Sequence, residues 1–423
     1  MTNLERLIQE LCPSGVEYKK LGDVATISRG GNFQKKDFVE QGVPCIHYGQ
    51  IYTKYGLFVD STLTFISEEN AKKQKMAVKN DVIMAVTSEN IEDVCKSLAW
   101  LGDEDVAVSA HSAIIHHTLN PKYLVYYLHT EQFNFQKRKL AHGTKVIEVT
   151  PDRLNDVRLP VPPLEVQREI VNILDSFTLL TAELTAELTA RKKQYEFYRD
   201  NLIKKEQHIS EVKKLADVAN IYDSLHQTPS YSNSGYSMVR VQDIKGGYLD
   251  EDKTLKVDES VWNLFTQKYT PRLNDIVVSR VGSYGNFALI PNDKCCLGQN
   301  VALIHPNINP KYLYHVLMST MTKQWINNNV KGASQKSFSL ADIKRVPVPV
   351  PKENIQQRIA EVLDNFEAIC TDLNIGLPAE IEARQKQYEY YRDLLLTFAE
   401  TGSTLMTDRQ TDRQTDRQTD RQT

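Results

Sequence analysis

The chain has 423 residues, 41% hydrophobic and 25% charged, with a formal net charge of −3. That composition excludes a wholly disordered or collagen-like chain, and the charge balance excludes a uniformly basic nucleic-acid binder. A chain of this length divides into two to four domains.

No apolar run reaches the ~18 residues a membrane helix needs. The opening MTNLERLIQELCPSG has acids and an amphipathic rhythm rather than the pattern of a leader. Six scattered cysteines (Cys12, Cys45, Cys95, Cys295, Cys296 and Cys370) argue against a disulfide framework and for a reducing cytoplasm.

In chain order, the sequence repeats itself. EYKKLGDVATI at 17–27 returns as EVKKLADVANI at 211–221, and NDVIMAV at 80–86 as NDIVVSR at 274–280. NPKYL at 120–124 recurs at 309–313, and RKKQYEFYRD at 191–200 returns as RQKQYEYYRD at 384–393. Each copy opens with short β-branched and aromatic runs, such as GVPCIHYGQIY and YSMVRVQDI, which read as strands entering turns. NPKYLVYYLHTEQF reads as a helix with Asn and Pro at its start. The pattern predicts a compact α+β domain in each copy.

A long helix comes after each domain. LPVPP at 159–163 and VPVPVP at 346–351 are extended, because each proline lacks a donor and restricts its predecessor. After the first, Phe177, Thr181, Leu184, Leu188, Arg191, Tyr195, Tyr198 and Leu202 step by alternating fours and threes, a heptad seam. Leu377, Ile381, Arg384, Tyr388, Tyr391 and Leu395 keep the same rhythm in the second copy. Each seam needs a partner, and the other copy is the expected one, the alternative being that each helix packs on its own globular domain. The expected segments are 1–158, a first globular domain with an N-terminal helix; 159–208, a long helix; 209–346, a second globular domain; 347–402, a second long helix; and 403–423, a tail.

TAELTAEL at 181–188 is a tandem four-residue unit of strong helix formers. Adding or removing one unit changes the helix by roughly 6 Å and rotates its downstream part by about 40°. Two similar readers held apart by such a ruler suit a two-part ligand. Duplex DNA, with base pairs every ~3.4 Å, is the natural one. The charge is unevenly spread: −1 over 1–150, −1 over 151–210, +4 over 211–346 and −5 over 347–423. The first domain has only local clusters: Lys35-Lys36, Lys72-Lys73 with Lys75, and Lys137-Arg138-Lys139.

Catalytic signatures are missing. There is no GxxxxGK[ST] loop, no HExxH and no paired CxxC, and the glycines at 30–31 and 282–285 lack dinucleotide-loop spacing. Val161-Pro162-Pro163-Leu164 lacks the amide and aromatic that hold a flipped base. His111, His116 and His117 with Cys95 could ligate a metal but read better as core or surface residues, and Cys295-Cys296 lacks zinc-knuckle spacing. No metal, no cofactor and no catalysis are expected in this chain.

The duplicated KKLGDVATI and KKLADVANI openings resemble the specificity subunits of type I restriction–modification systems. So do Gly42-Val43-Pro44-Cys45-Ile46, VPPLEVQR at 161–168, the paired RxKQYExYRD endings and the TAEL repeat. The resemblance spans residues 1 to about 400. The second copy departs from it, because Pro349-Val350-Pro351-Lys352-Glu353-Asn354-Ile355-Gln356 lacks the double proline and the leucine.

The resemblance implies an α+β fold of two pseudo-symmetric DNA-recognition domains, separated by a pair of long antiparallel coiled-coil helices. Each domain would read one half of a split, asymmetric site. The helices, through Leu184, Leu188, Tyr195, Tyr198, Tyr388 and Tyr391, would set the spacer and dock two modification (methyltransferase) subunits carrying the S-adenosylmethionine chemistry. Two restriction subunits using ATP and Mg would complete the nuclease, without a membrane. It also implies DNA-facing loops at Thr87, Ser88, Glu89 and His142-Gly143-Thr144-Lys145 in the first domain. In the second they lie at Arg280, Ser283, Tyr284 and Gly332-Ala333-Ser334-Gln335-Lys336. Arg and Lys suit guanine, Gln suits adenine, and Ser or Thr suits several base edges; glycine-loop amides suit phosphates. Competing readings are a single-chain methyltransferase or nuclease acting on split sites, and a coiled-coil scaffold that binds protein only.

The tail TDRQTDRQTDRQTDRQT at 407–423 has no apolar residue and is expected to be disordered. Thr-Asp-Arg-Gln can be encoded as repeats of ACAG. A slippage-prone tetranucleotide tract would then make the tail phase-variable, the alternative being an in-frame duplication.

Overall fold

The computed structural model describes residues 2–244, 247–249, 251–330, 337–372 and 376–398. The chain forms two compact units, one of Met1–Glu183 with the chain from Glu382 onward, the other of Leu184–Ile381. The first unit holds two five-stranded sheets. One runs Ala25–Arg29, Ser112–His117, Val82–Ala85, Ser97–Trp100, Phe58–Val59; the other runs Phe38–Val39, Thr64–Ile66, Val43–Ile46, Val106–Val108, Met76–Ala77. The second unit repeats the first of these as Ala219–Asp223, Val301–Pro306, Ile276–Ser279, Phe287–Leu289, Gly247–Tyr248. It keeps three strands of the other: Leu255–Val257, Tyr236–Val239 and Cys295–Leu297.

The repeated strings are the joints of this fold. In KKLGDV and KKLADV, Leu21 and Leu215 are fully buried. Asp23 and Asp217 each accept the Lys20 or Lys214 backbone N–H at 3.1 Å, capping a single helical turn. The strand before each turn, Tyr18–Lys20 or Glu211–Lys214, pairs antiparallel with the proline-rich strand Arg158–Pro160 or Pro347–Val350. Prolines are tolerated in these two-stranded edges because their missing donors face away from the ladder.

The Asn-Asp pairs make a turn. Asn80 and Asn274 adopt positive φ (74° and 67°), a conformation asparagine enters more readily than most residues. Asp81 and Asp275, both buried, accept from the backbone of Val78 at 2.9 Å and Arg272 at 2.8 Å, and each meets a histidine, His116 or His305, at 2.7 Å. His116 is therefore a hydrogen-bond partner of Asp81.

NPKYL ties each domain to a long helix. Asn120 and Asn309 cap the helices Pro121–Tyr127 and Pro310–Met318. Lys122 and Lys311 pair with Asp175 and Asp364 on the next long helix, each at 2.5 Å. Tyr123 and Tyr312 donate to the carbonyls of Pro160 and Pro349, each at 3.0 Å.

The central helix, Leu164–Ile209, is continuous through the TAEL units. In the first unit Phe177 stacks on Tyr391 with centroids 5.4 Å apart, and Tyr388 is buried beside Tyr126. In the second, Tyr195 is buried against Phe366 at 6.4 Å. Leu184 and Leu188 are half-buried. The seam drifts toward the helix end, where Arg199, Ile203 and Glu206 are buried while Tyr198 is 47% exposed, its ring 6.0 Å from Phe366. A straight helix turns every 3.6 residues and loses a 3.5-residue register by about 20° per heptad.

The second long helix differs from expectation. It is two helices, Glu353–Thr371 and Leu377–Leu396. Asp372 leaves helical geometry with ψ 122°, and Pro378 sits at the start of the next helix, where a missing N–H costs nothing.

Candidate nucleic-acid interface

The structure brings the two predicted stretches of the first domain together. Thr87–Ser88 pairs antiparallel with Ile147–Glu148, and His142 exchanges backbone hydrogen bonds with Glu148 across a hairpin whose turn uses Gly143 at φ 105°. His142, Gly143, Thr144, Lys145 and Glu89 are exposed. Thr87 is buried, with its carbonyl accepting from the Tyr52 hydroxyl at 2.8 Å, and Ser88 is half-buried. Thr87 therefore holds the ledge from which its neighbours project. Of the basic clusters, Lys137 is buried and donates to the Glu92 carbonyl at 2.8 Å, and burial lowers its pKa from the ordinary lysine value.

In the second domain, Arg280 is committed to the fold. Its guanidinium pairs with Asp223, and its carbonyl receives the Phe338 N–H at 2.8 Å. Ser283 is exposed, and Tyr284 packs half-buried against the core. Gly332, Ala333, Ser334, Gln335 and Lys336 lie outside the described residues.

Beside Ser283 lies a cleft of 440 Å³ that residue types and spacing did not single out. Polar side chains from separate loops, including Arg240, Gln242, Gln299 and Asn300, line it. Arg240 is held by Asp243 through Nε and Nη2, each at 2.9 Å. Gln242, with its amide oxygen toward the guanidinium, accepts from Nη1 at 2.9 Å and Nη2 at 2.8 Å. Gln299 donates to the Thr228 hydroxyl at 3.3 Å.

His315, Asp364 and Glu367 place possible metal-ligating atoms within 4.8 Å of one another. Their contacts describe a strut instead. His315 bonds Asp364 at 2.8 Å and the Tyr195 hydroxyl at 3.0 Å, while Lys311 takes the other Asp364 oxygen. Tyr314 donates to Glu367 at 3.1 Å, and burial raises the Glu367 carboxyl above its ordinary pKa. Tyr126 and Asp175, 2.6 Å apart, occupy the matching place in the first unit.

Two α+β domains built on shared joints, each anchored to long helices, define a paired recognition scaffold. Residues 13–191 and 209–383 each match the model of the type I restriction modification DNA specificity domain. The chain is 35% identical over 293 residues to the EcoR124I/EcoR124II type I restriction enzyme specificity subunit of Escherichia coli, covering 66% of this chain and 70% of that one. It is 30% identical over 294 residues to a Haemophilus influenzae protein named as a type I restriction enzyme specificity subunit, covering 66% of this chain and 73% of that one. A chain solved in work on complex assembly and conformational transition of the type I restriction–modification system shares the fold. Its TM-score is 0.58 at 16% identity, over 91% of this chain and 98% of that one. The chain belongs to the type I restriction–modification DNA specificity family and is a non-catalytic specificity subunit. Among the described residues, no helix is long and apolar enough to cross a membrane.

Proposed function

We propose that the two domains, 1–158 and 209–346, each read one half of a split asymmetric duplex site. The helical segments 159–208 and 347–402 fix the gap and dock two methyltransferase subunits, which bring S-adenosylmethionine; restriction subunits using ATP and Mg join the same assembly. The observation that carries this is the division of labour between the copies. The joints recur bond for bond, as in Lys122–Asp175 and Lys311–Asp364, while the loops at the sheet ends differ. Two equivalent mounts with unlike reading loops are what an asymmetric two-part target requires. On this reading Glu89, His142, Gly143, Thr144 and Lys145 in the first domain, and Ser283 in the second, all exposed, contact DNA, while Arg280, paired with Asp223, half-buried Tyr284 and buried Thr87 support the loops.

Methylome sequencing of a host with and without the gene tests this. A split motif with a fixed non-specific gap should vanish on deletion. If no such motif depends on the gene, the reading fails.

A further inference from the structure

The duplication identifies matching positions in the two domains, bond by bond. Ser109 N–H donates to the Ile46 carbonyl at 3.2 Å, and Gly298 N–H to the Val239 carbonyl at 2.8 Å. Each pair lies just past two parallel strands in register, Val43–Ile46 with Val106–Val108 and Tyr236–Val239 with Cys295–Leu297. The next residue, His47 or Arg240, has its backbone N–H capped at 2.9 Å by the side chain three residues on, Gln50 or Asp243. Val86 N–H donates to the His111 carbonyl and Arg280 N–H to the Asn300 carbonyl, each at 2.9 Å. His47 therefore corresponds to Arg240, and His111 to Asn300.

Backbone geometry is shared at this spot and side-chain chemistry is not. The first domain places aromatic rings there: His47 lies 4.6 Å from Tyr48, and Tyr48 lies 4.9 Å from the exposed His111. Burial lowers the His47 imidazole pKa below its ordinary value, with Lys35 and His111 adding to the effect. The second domain places amides there, Gln242, Gln299 and Asn300, around the 440 Å³ cleft.

Resting on the split-site reading, we propose that this paired location is the specificity-determining centre of each domain. In the second domain Gln242, Gln299 and Asn300 read base edges in the major groove. Arg240 is a positioning residue, because four of its five N–H donors are taken by Asp243 and by the Gln242 oxygen, which turns the Gln242 amide nitrogen away from the guanidinium. With its oxygen held by Arg240, Gln242 presents only amide N–H donors, which suit base-edge acceptors such as guanine O6 and N7. His111 is the reader at the equivalent place in the first domain.

The test is methylome sequencing of hosts whose only specificity gene encodes the wild-type chain, Gln242→Ala, Gln299→Ala or His111→Ala, with the methyltransferase subunit present. All three residues are exposed, so the variants keep the fold. Gln242→Ala and Gln299→Ala should relax one or two specified positions in the same half of the motif, with selectivity there falling about tenfold or more. His111→Ala should relax only the other half, and the gap should not change. Arg240→Ala should mimic Gln242→Ala, and Arg240→Lys should restore part of the selectivity. Unchanged motifs in the alanine variants, or both domains' variants altering the same half, would overturn the proposal. A wild-type gene that confers no split motif would instead overturn the reading on which it rests.

Discussion

At the residue scale, the most informative side chain is a buried glutamine. Gln167 accepts the Asn120 N–H at 2.8 Å and donates to the Pro162 carbonyl at 2.7 Å. Gln356 repeats this with Asn309 at 3.1 Å and Pro351 at 2.8 Å. The second copy's missing double proline and leucine therefore do not change the contact made there. One side chain satisfies two backbone groups that the helix start would otherwise bury unpaired. Gln167→Ala or Gln356→Ala should destabilise its own unit by roughly 2–3 kcal/mol. Urea unfolding read by circular dichroism should show this as a lower midpoint. An unchanged midpoint would mean that water replaces the amide at no cost.

At the scale of elements, the repeated sequence motifs were legible as helices, turns and extended strands, because Asn, Pro, Asp and heptad leucines impose local geometry. The place of the proposed reading residues was not legible. His47 and His111, or Arg240 and Asn300, lie more than fifty residues apart and meet only through parallel strand pairing, which leaves no local spacing signal. Of the seam positions, Tyr195 and Tyr388 are buried, while Tyr198 is 47% exposed with its ring 6.0 Å from Phe366. Both helices also carry exposed aromatic surface. Phe197 and Tyr390, matching positions of the repeated motif, are each 64% exposed and each set edge-on to the next ring. Paired exposed aromatics suit the two-copy partner proposed above. Phe197→Ala with Tyr390→Ala should leave the melting temperature unchanged and reduce co-purification of the methyltransferase subunit at least tenfold; full co-purification would place the docking surface elsewhere.

At the scale of the whole molecule, the formal charge of −3 reads differently once the chain is divided. The second globular segment carries +4, and the last segment carries −5, so the acidic total does not oppose DNA binding. The fold explains the duplication as well. Each unit takes one recognition domain, the start of the helix that comes after it and the tyrosine motif from the other copy: Tyr388 beside Tyr126 in one unit, Tyr195 beside His315 in the other. Between these anchor points the TAEL units lie in uninterrupted helix, where length can change without touching either joint. The ruler is tested most directly by the methylated motif of a host carrying this gene with one extra TAEL inserted after Leu188. The gap should lengthen by about one or two base pairs, since four helical residues add roughly 6 Å, with both half-sites unchanged. An unchanged gap, or an altered half-site, would contradict it.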